Sequence, residues 1–215
     1  MEKYIETTMK NLEKNNFKPY FVETKEEVVP LIKTLIKQGE SISCGGSVSL
    51  KECGVHDEIF NSGDYNFIDR TGLEGEELRM AYAKAFACDS YFCSSNAVTM
   101  HGELYNVDGN SNRVACIVYG PRQVIMVVGK NKIVDNIDEA IVRVKETAAP
   151  PNCKRLNCDT PCAKLGKCVS LTKENPFICD GCASDKRICC NYVVSAKQRH
   201  KDRIKIIIVN ENLGY

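Results

Sequence analysis

The sequence predicts an α/β fold in which a mostly parallel sheet is covered by helices. Two observations carry that expectation. Runs with strand character alternate with runs at helical spacing from the N-terminus to about residue 147. The 215 residues are 43% hydrophobic and 27% charged, a balance ordinary for a globular chain that buries a sizeable core.

Residues 2–15 place Tyr4, Ile5, Met9 and Leu12 on one helical face. Phe17–Val22 reads as a strand, and Pro19 within it predicts an edge or a bulge. Thr24 and Glu27 have capping-box spacing, so a helix is expected there with Val28, Leu31, Ile32, Leu35 and Ile36 as its apolar face; Pro30 should shift or kink its start. Ser41–Cys44 is a short strand followed by Gly45-Gly46-Ser47 and a helix from Ser49. Strand, glycine turn and helix start can cradle an anion, or can simply be a tight turn; neither a Walker A nor a G-x-G-x-x-G pattern is present. Tyr65–Ile68 and Ser90–Ser94 read as strands flanking an Ala-rich helix over Leu73–Cys88.

Asp108-Gly109 predicts a hairpin turn between strands Glu103–Val107 and Arg113–Val118. Asn106, Asp108, Asn110 and Asn112 do not complete a calcium loop, because Ser111 stands at the glycine position and Ile117 at the bidentate glutamate position. Val114–Tyr119 and Gln123–Val128 are expected strands, and Asp135–Thr147 is an amphipathic helix that Asp135 can cap and that Pro150-Pro151 should stop. Ile204–Val209 is a final strand. The cysteines at 44, 53, 88, 93 and 116 fall in or beside these elements and are expected as small core residues.

The net charge of +1 points to no polyanion partner, so nucleic acid is not expected. Met1–Asn16 is charged and has no apolar stretch of a secretory leader, and no run is long enough to span a bilayer; a cytoplasmic protein is expected, with no membrane partner. In that compartment clustered thiols more often bind metal or do redox chemistry than form disulfides. Eight of the 13 cysteines lie between Cys153 and Cys190, a cysteine-rich C-terminal segment with too few apolar residues to hold itself together. Cys179-x-x-Cys182 has the spacing of two thiolates on one ion, and Cys162, Cys168 and Cys189 can supply the rest. Zinc and an iron–sulfur cluster both suit these five, and disulfides are a third option.

Several short motifs occur in a fixed order: Gly45-Gly46-Ser47, Ser95-Asn96-Ala97-Val98-Thr99, Gly102-Glu103-Leu104, Val107-Asp108-Gly109, Asn112-Arg113-Val114-Ala115, Gly120-Pro121 and Asn131-Lys132-Ile133-Val134. Thr160-Pro161-Cys162, Gly166-Lys167-Cys168 and Arg187-Ile188-Cys189 complete the series. The set resembles the LUD-domain family of LutC-like lactate-utilisation proteins over nearly the whole of 1–215, read as a single domain that includes the 153–190 segment. The resemblance implies a three-layer α/β/α sandwich like the NagB/RpiA/CoA-transferase superfamily. It also implies a role in lactate or organic-acid utilisation beside partner subunits that carry iron–sulfur centres. Two departures stand out. About ten residues, Val169–Phe177, separate Cys168 from the third cysteine of the pattern, Cys182, and Met100 replaces an acidic residue that many relatives carry after the threonine.

Strand-end placement gathers a candidate ligand site from Gly45, Gly46, Ser47, Asn96, Thr99, Asp108, Asn112 and Arg113. Arg113 could grip a carboxylate or phosphate, and Asn96 and Thr99 could bond a hydroxyl or carbonyl. Three functions compete: a component of organic-acid oxidation with a small-molecule ligand and a thiolate-bound metal, a sugar-phosphate or CoA-ester enzyme with a structural zinc clasp, and a redox-sensing module. A symmetric homodimer is the default assembly.

Overall fold

The computed structural model describes residues 1–174 and 177–215. In chain order its elements are α1 (Lys3–Lys14), β1 (Lys18–Val22), α2 (Val28–Leu35), β2 (Ser41–Cys44), α3 (Val48–Glu52), β3 (Asn66–Phe67), α4 (Gly75–Phe86), β4 (Ser90–Cys93) and β5 (Ala97–Thr99). There follow β6 (Leu104–Asp108), α5 (Asn112–Val118), β7 (Gln123–Gly129), β8 (Ile133–Val134), α6 (Ile137–Arg143), α7 (Ala149–Arg155), α8 (Pro161–Leu165), β9 (Asn191–Ser195) and β10 (Ile204–Val209).

Six strands form an all-parallel sheet in the order β1-β10-β7-β4-β2-β3. The central β7 and β10 are apolar throughout their buried lengths because helices cover both faces. Val124, Met126, Val128, Ile204, Ile206 and Ile208 pack toward Ile5 and Leu12 of α1 and Ile117 of α5. The alternate residues Ile125, Val127, Ile207 and Val209 face Val28 and Ile32 of α2 and Leu50 of α3. Strand periodicity thus divides one apolar run between two cores. Pro19 lies in the edge strand β1, where its missing donor is tolerated. Cys53, Cys88, Cys93 and Cys116 are core residues, and Cys44 is half-buried.

A second sheet, β8-β5-β6-β9, was not expected as a separate layer. β6 pairs antiparallel with β5 and with β9, so the final third of the chain returns to close it. Its core joins Ala97, Tyr105 and Val107 to Ala140 and Val144.

Four local expectations are corrected. Arg113–Val118 is not a hairpin strand but part of α5. The Asp108 carboxylate accepts the backbone N–H groups of Arg113 and Val114 at 3.1 and 3.0 Å and so starts that helix. Ser111 turns the chain with φ 64°, and the short apolar run is compatible with either period. Pro150 and Pro151 do not stop the preceding helix; α6 runs through a π-helical stretch, Val144–Ala148, into α7, whose first turn needs no donor from proline. Asn136, not Asp135, caps α6, its side-chain oxygen accepting from Glu139 N at 3.0 Å. The helix expected at Thr24 begins as a 3-10 turn, Lys25–Glu27, before α2, consistent with the displaced start that Pro30 imposes.

Candidate functional site

A pocket of about 500 Å³ opens beyond the carboxyl ends of β2, β3, β4 and β7, where open parallel sheets bind their ligands. Gly46, Ser47, Asn96, Asp108, Asn112 and Arg113, six of the eight residues expected there, line it. Gly45 stands behind the wall: a Cβ there would come within 2.9 Å of Arg113 Cδ and 3.1 Å of the Tyr91 hydroxyl, so only glycine admits the arginine this close. Thr99 lies outside the lining. It is buried in β5, its hydroxyl bonded to the Glu103 carboxylate and accepting from Glu103 N at 3.1 Å.

Arg113 is the organiser of this wall. Its Nε donates to Asp108 Oδ1 at 2.9 Å, Nη1 to the Ser94 carbonyl at 2.9 Å and Asn106 Oδ1 at 2.7 Å, and Nη2 to Asn96 Oδ1 at 2.8 Å and the Val107 carbonyl at 3.1 Å. All five donors are spent inside the protein, leaving none for a ligand carboxylate. Asn96 is similarly engaged, its Oδ1 accepting also from Val107 N at 2.9 Å. Ser47 Oγ accepts from Leu50 N at 3.3 Å and caps α3. The residues chosen from sequence therefore mostly build the pocket.

The groups able to meet a ligand are cations that strand-end placement did not single out. Arg70, Lys132 and Arg155 line the pocket, and none of them is ion-paired among the described residues. Arg70 follows β3, sits over the Tyr82 ring at 5.1 Å and donates to the Cys44 carbonyl. Arg155, at the end of α7, is exposed and donates to Asn152 Oδ1 and to the hydroxyl of Tyr215. Lys132 follows β7 and is only 4% exposed. Its Nζ donates to Ser49 Oγ at 2.9 Å and Ser94 Oγ at 3.0 Å. Burial first, then the nearby Arg143 and Arg113, push its pKa down to about 7. Arg143 ties the adjacent loops together by donating to the carbonyls of Asn131 and Asn96.

Behind one wall lies a second, much smaller cavity of about 20 Å³, lined by Cys153, Cys162, Cys168, Cys182 and Cys189 with Lys145, Asp180 and Arg187. Four of the five cysteines expected to bind metal are thus brought together. Cys179 is exposed and outside the lining, and Cys153, whose position ahead of the motifs gave no signal, takes part. Cys162 and Cys153 Sγ are 3.6 Å apart, beyond an S–S bond. Burial, then the neighbouring Cys153, Cys162 and Cys168, push the Cys189 thiol up to about 12. Arg187 staples the surrounding loop by donating to the carbonyls of Cys179, Cys182 and Cys189 and to the Tyr192 hydroxyl. Among the described residues no three Cys, His, Asp or Glu side chains stand in position to hold an ion. The thiols line the cavity without closing on a common point.

A family description, LUD domain, matches residues 5–209. No curated protein matches the chain. Among solved structures, the crystal structure of a DUF162 family protein from Deinococcus radiodurans matches with a TM-score of 0.52 at 13% identity, covering 97% of each chain, a likeness of fold alone. The structure of eIF2B beta from Chaetomium thermophilum matches 52% of this chain and 43% of its own at 13% identity, with a TM-score of 0.38, below the level at which a shared fold follows. No helix among the described residues is long and apolar enough to cross a membrane.

Proposed function

The chain belongs to the LUD-domain family, and from that premise we propose that it binds a small anionic ligand, a carboxylate or phosphate, as a component of lactate-type organic-acid utilisation. The observation that carries the reading is the pair of arginines, Arg70 and Arg155, neither ion-paired among the described residues, around a pocket whose carboxylate, Asp108, is already neutralised by Arg113. An anion entering it meets positive charge with no competing counter-ion among the described residues. Calorimetry with lactate, pyruvate, inorganic phosphate and a sugar phosphate tests this. One carboxylate bound per chain, weakened about tenfold or more by Arg155→Gln, supports the reading. A preference for phosphates moves it toward a sugar-phosphate or CoA-ester enzyme, and no binding of any of the four overturns it.

The smaller cavity extends the proposal. Its donor set is thiol-rich, and the 3.6 Å between Cys153 and Cys162 Sγ is near the ~3.8 Å that two thiolates keep around one zinc ion at ~2.3 Å. To hold a metal centre, Cys153, Cys162, Cys168, Cys182 and Cys189 would have to draw together on a common point, which as placed they do not. A zinc ion would supply structural cross-linking; an iron–sulfur centre would supply one-electron chemistry beside the ligand. Metal and acid-labile sulfide measured on anaerobically purified protein separate the two. Metal-free protein retaining a fully protected 153–190 segment would sink this part of the proposal.

A further inference from the structure

Lys132 is an unusual group to find in a pocket of this kind. A lysine that merely anchors anions keeps its charge and stays near water or a carboxylate. This one is almost wholly buried at the carboxyl end of β7. It has no acidic partner within ion-pair distance among the described residues, and two serine hydroxyls accept from its Nζ. Ser49 belongs to α3 and Ser94 follows β4, so three separate segments fix the nitrogen in place. Two of the three Nζ positions are occupied by the serines, leaving one for a ligand. The charged groups around it are Arg143 of α6 and Arg113 of α5, which disfavour an ammonium, and Glu52 of α3, which favours one; Cys53 lies beyond α3. Burial dominates, and the pKa falls to about 7, so near neutral pH a large share of the nitrogen carries a free lone pair. Permanent positive charge is already supplied by Arg70 and Arg155. The lysine is thus a weak anchor and a strong nucleophile.

We propose that Lys132 is a carbonyl-reactive amine, and that the ligands of the pocket include a carboxylate or phosphate bearing an aldehyde or ketone, which it captures as an imine. This rests on the anionic-ligand reading of the same pocket. The arginines hold the acid group and Nζ adds to the carbonyl carbon. The carbonyl oxygen then leaves as water with both hydrogens of the neutral amine, and a C=N bond replaces C=O. No oxidant or reductant is consumed. A protonated imine draws electrons from the bond on the neighbouring carbon, which is the activation that enolisation or carbon–carbon cleavage next to a carbonyl requires.

The test is reductive trapping on the full chain. Glyoxylate and pyruvate serve as oxo acids, glyceraldehyde 3-phosphate as the phosphorylated aldehyde, and lactate and inorganic phosphate as controls without a reactive carbonyl. Each is incubated with protein and borohydride, and the modified lysines are found by peptide mass mapping between about pH 6 and 10. The expected result is a single dominant adduct at Lys132, formed at least about tenfold faster than at surface lysines near pH 7, and suppressed by lactate or phosphate. Lys132→Met abolishes it while leaving surface labelling unchanged; Lys132→Arg serves if that variant does not fold, and the wild-type map stands without either. Labelling of Lys132 no faster than of exposed lysines by all three carbonyl probes overturns the proposal. Calorimetric binding of lactate with no adduct removes the imine and leaves the anion pocket standing. Loss of both removes the two readings together.

Discussion

The two cavities share a wall and are built in opposite ways. Val144, Ala149, Ile188 and Cys189 line both. On one side, the larger pocket is made by loops leaving a six-stranded sheet whose two cores are fully buried, and its polar groups are locked by Arg113. On the other, the cysteine cavity is walled by α7, α8 and a long loop held by Arg187 and by Thr160, which caps α8. The first is organised by burial and needs no ligand to exist. The 153–190 segment that walls the second has few apolar residues of its own, so its order depends on hydrogen bonds and, on the present proposal, on a metal. Stability should therefore be unevenly distributed across the shared wall.

The sharpest way to break this contrast is to remove the organiser of the larger pocket. Arg113→Met discards five hydrogen bonds and strands Asp108, whose side chain is 11% exposed. The expected cost is roughly 3–5 kcal/mol, on the order of 10 °C in Tm for a chain of this size. A shift within about 2 °C would mean that the pocket is not preorganised in this way.

Metal removal should act on the other side alone. After chelation, hydrogen exchange in 153–190 is expected to accelerate by about tenfold or more while β7 and β10 keep their protection. Uniform acceleration across the chain would erase the distinction between the two regions.

The Lys132 pKa gives a pH signature. Because it is lowered to about 7 from 10.5, the unfolded chain binds the extra proton between those values. Stability thus rises with pH from about 7, the penalty being fully present below it. Above about 9 the buried thiols reverse the trend: Cys53, Cys88 and Cys93 are raised to about 12, so the folded chain then holds more protons and stability falls. Lys132→Met should flatten the rise between pH 7 and 9 by roughly 1–2 kcal/mol. Denaturant titrations at the two pH values measure it; an unchanged slope refutes the assignment.

The smallest effects come from matched caps. Ser47 caps α3 beside the larger pocket and Thr160 caps α8 beside the smaller one. Each alanine replacement should cost about 1 kcal/mol locally. Ser47→Ala should lower the global Tm, whereas Thr160→Ala should leave Tm nearly unchanged and speed exchange only in 153–190. Equal Tm shifts would show that the two regions unfold as one.

Much of this molecule could be read from its residues. The alternation of helix and strand segments along the chain pointed to the parallel sheet, and a strand buried on both faces shows as a continuous apolar run such as Val124–Val128. Strand-end placement brought out Gly46, Ser47, Asn96, Asp108, Asn112 and Arg113, and turn chemistry marked the chain reversals beside them, where pockets form. The same chemistry misread Asp108: an aspartate before glycine signals a hairpin, and only the arrival of Arg113 and Val114 N–H groups at its carboxylate makes it the start of a helix. It also misjudged the part each residue plays, because whether an arginine is free or saturated depends on five partners drawn from Ser94 to Asp108. Lys132 stood within the Asn131-Lys132-Ile133-Val134 motif but nothing in the sequence gave it a role, since burial is a property of what packs over a side chain and not of its neighbours in sequence. Cys153 and Cys179 exchanged places for the same reason: spacing says which thiols are near along the chain, and the fold of α7 against α8 decides which are near in space.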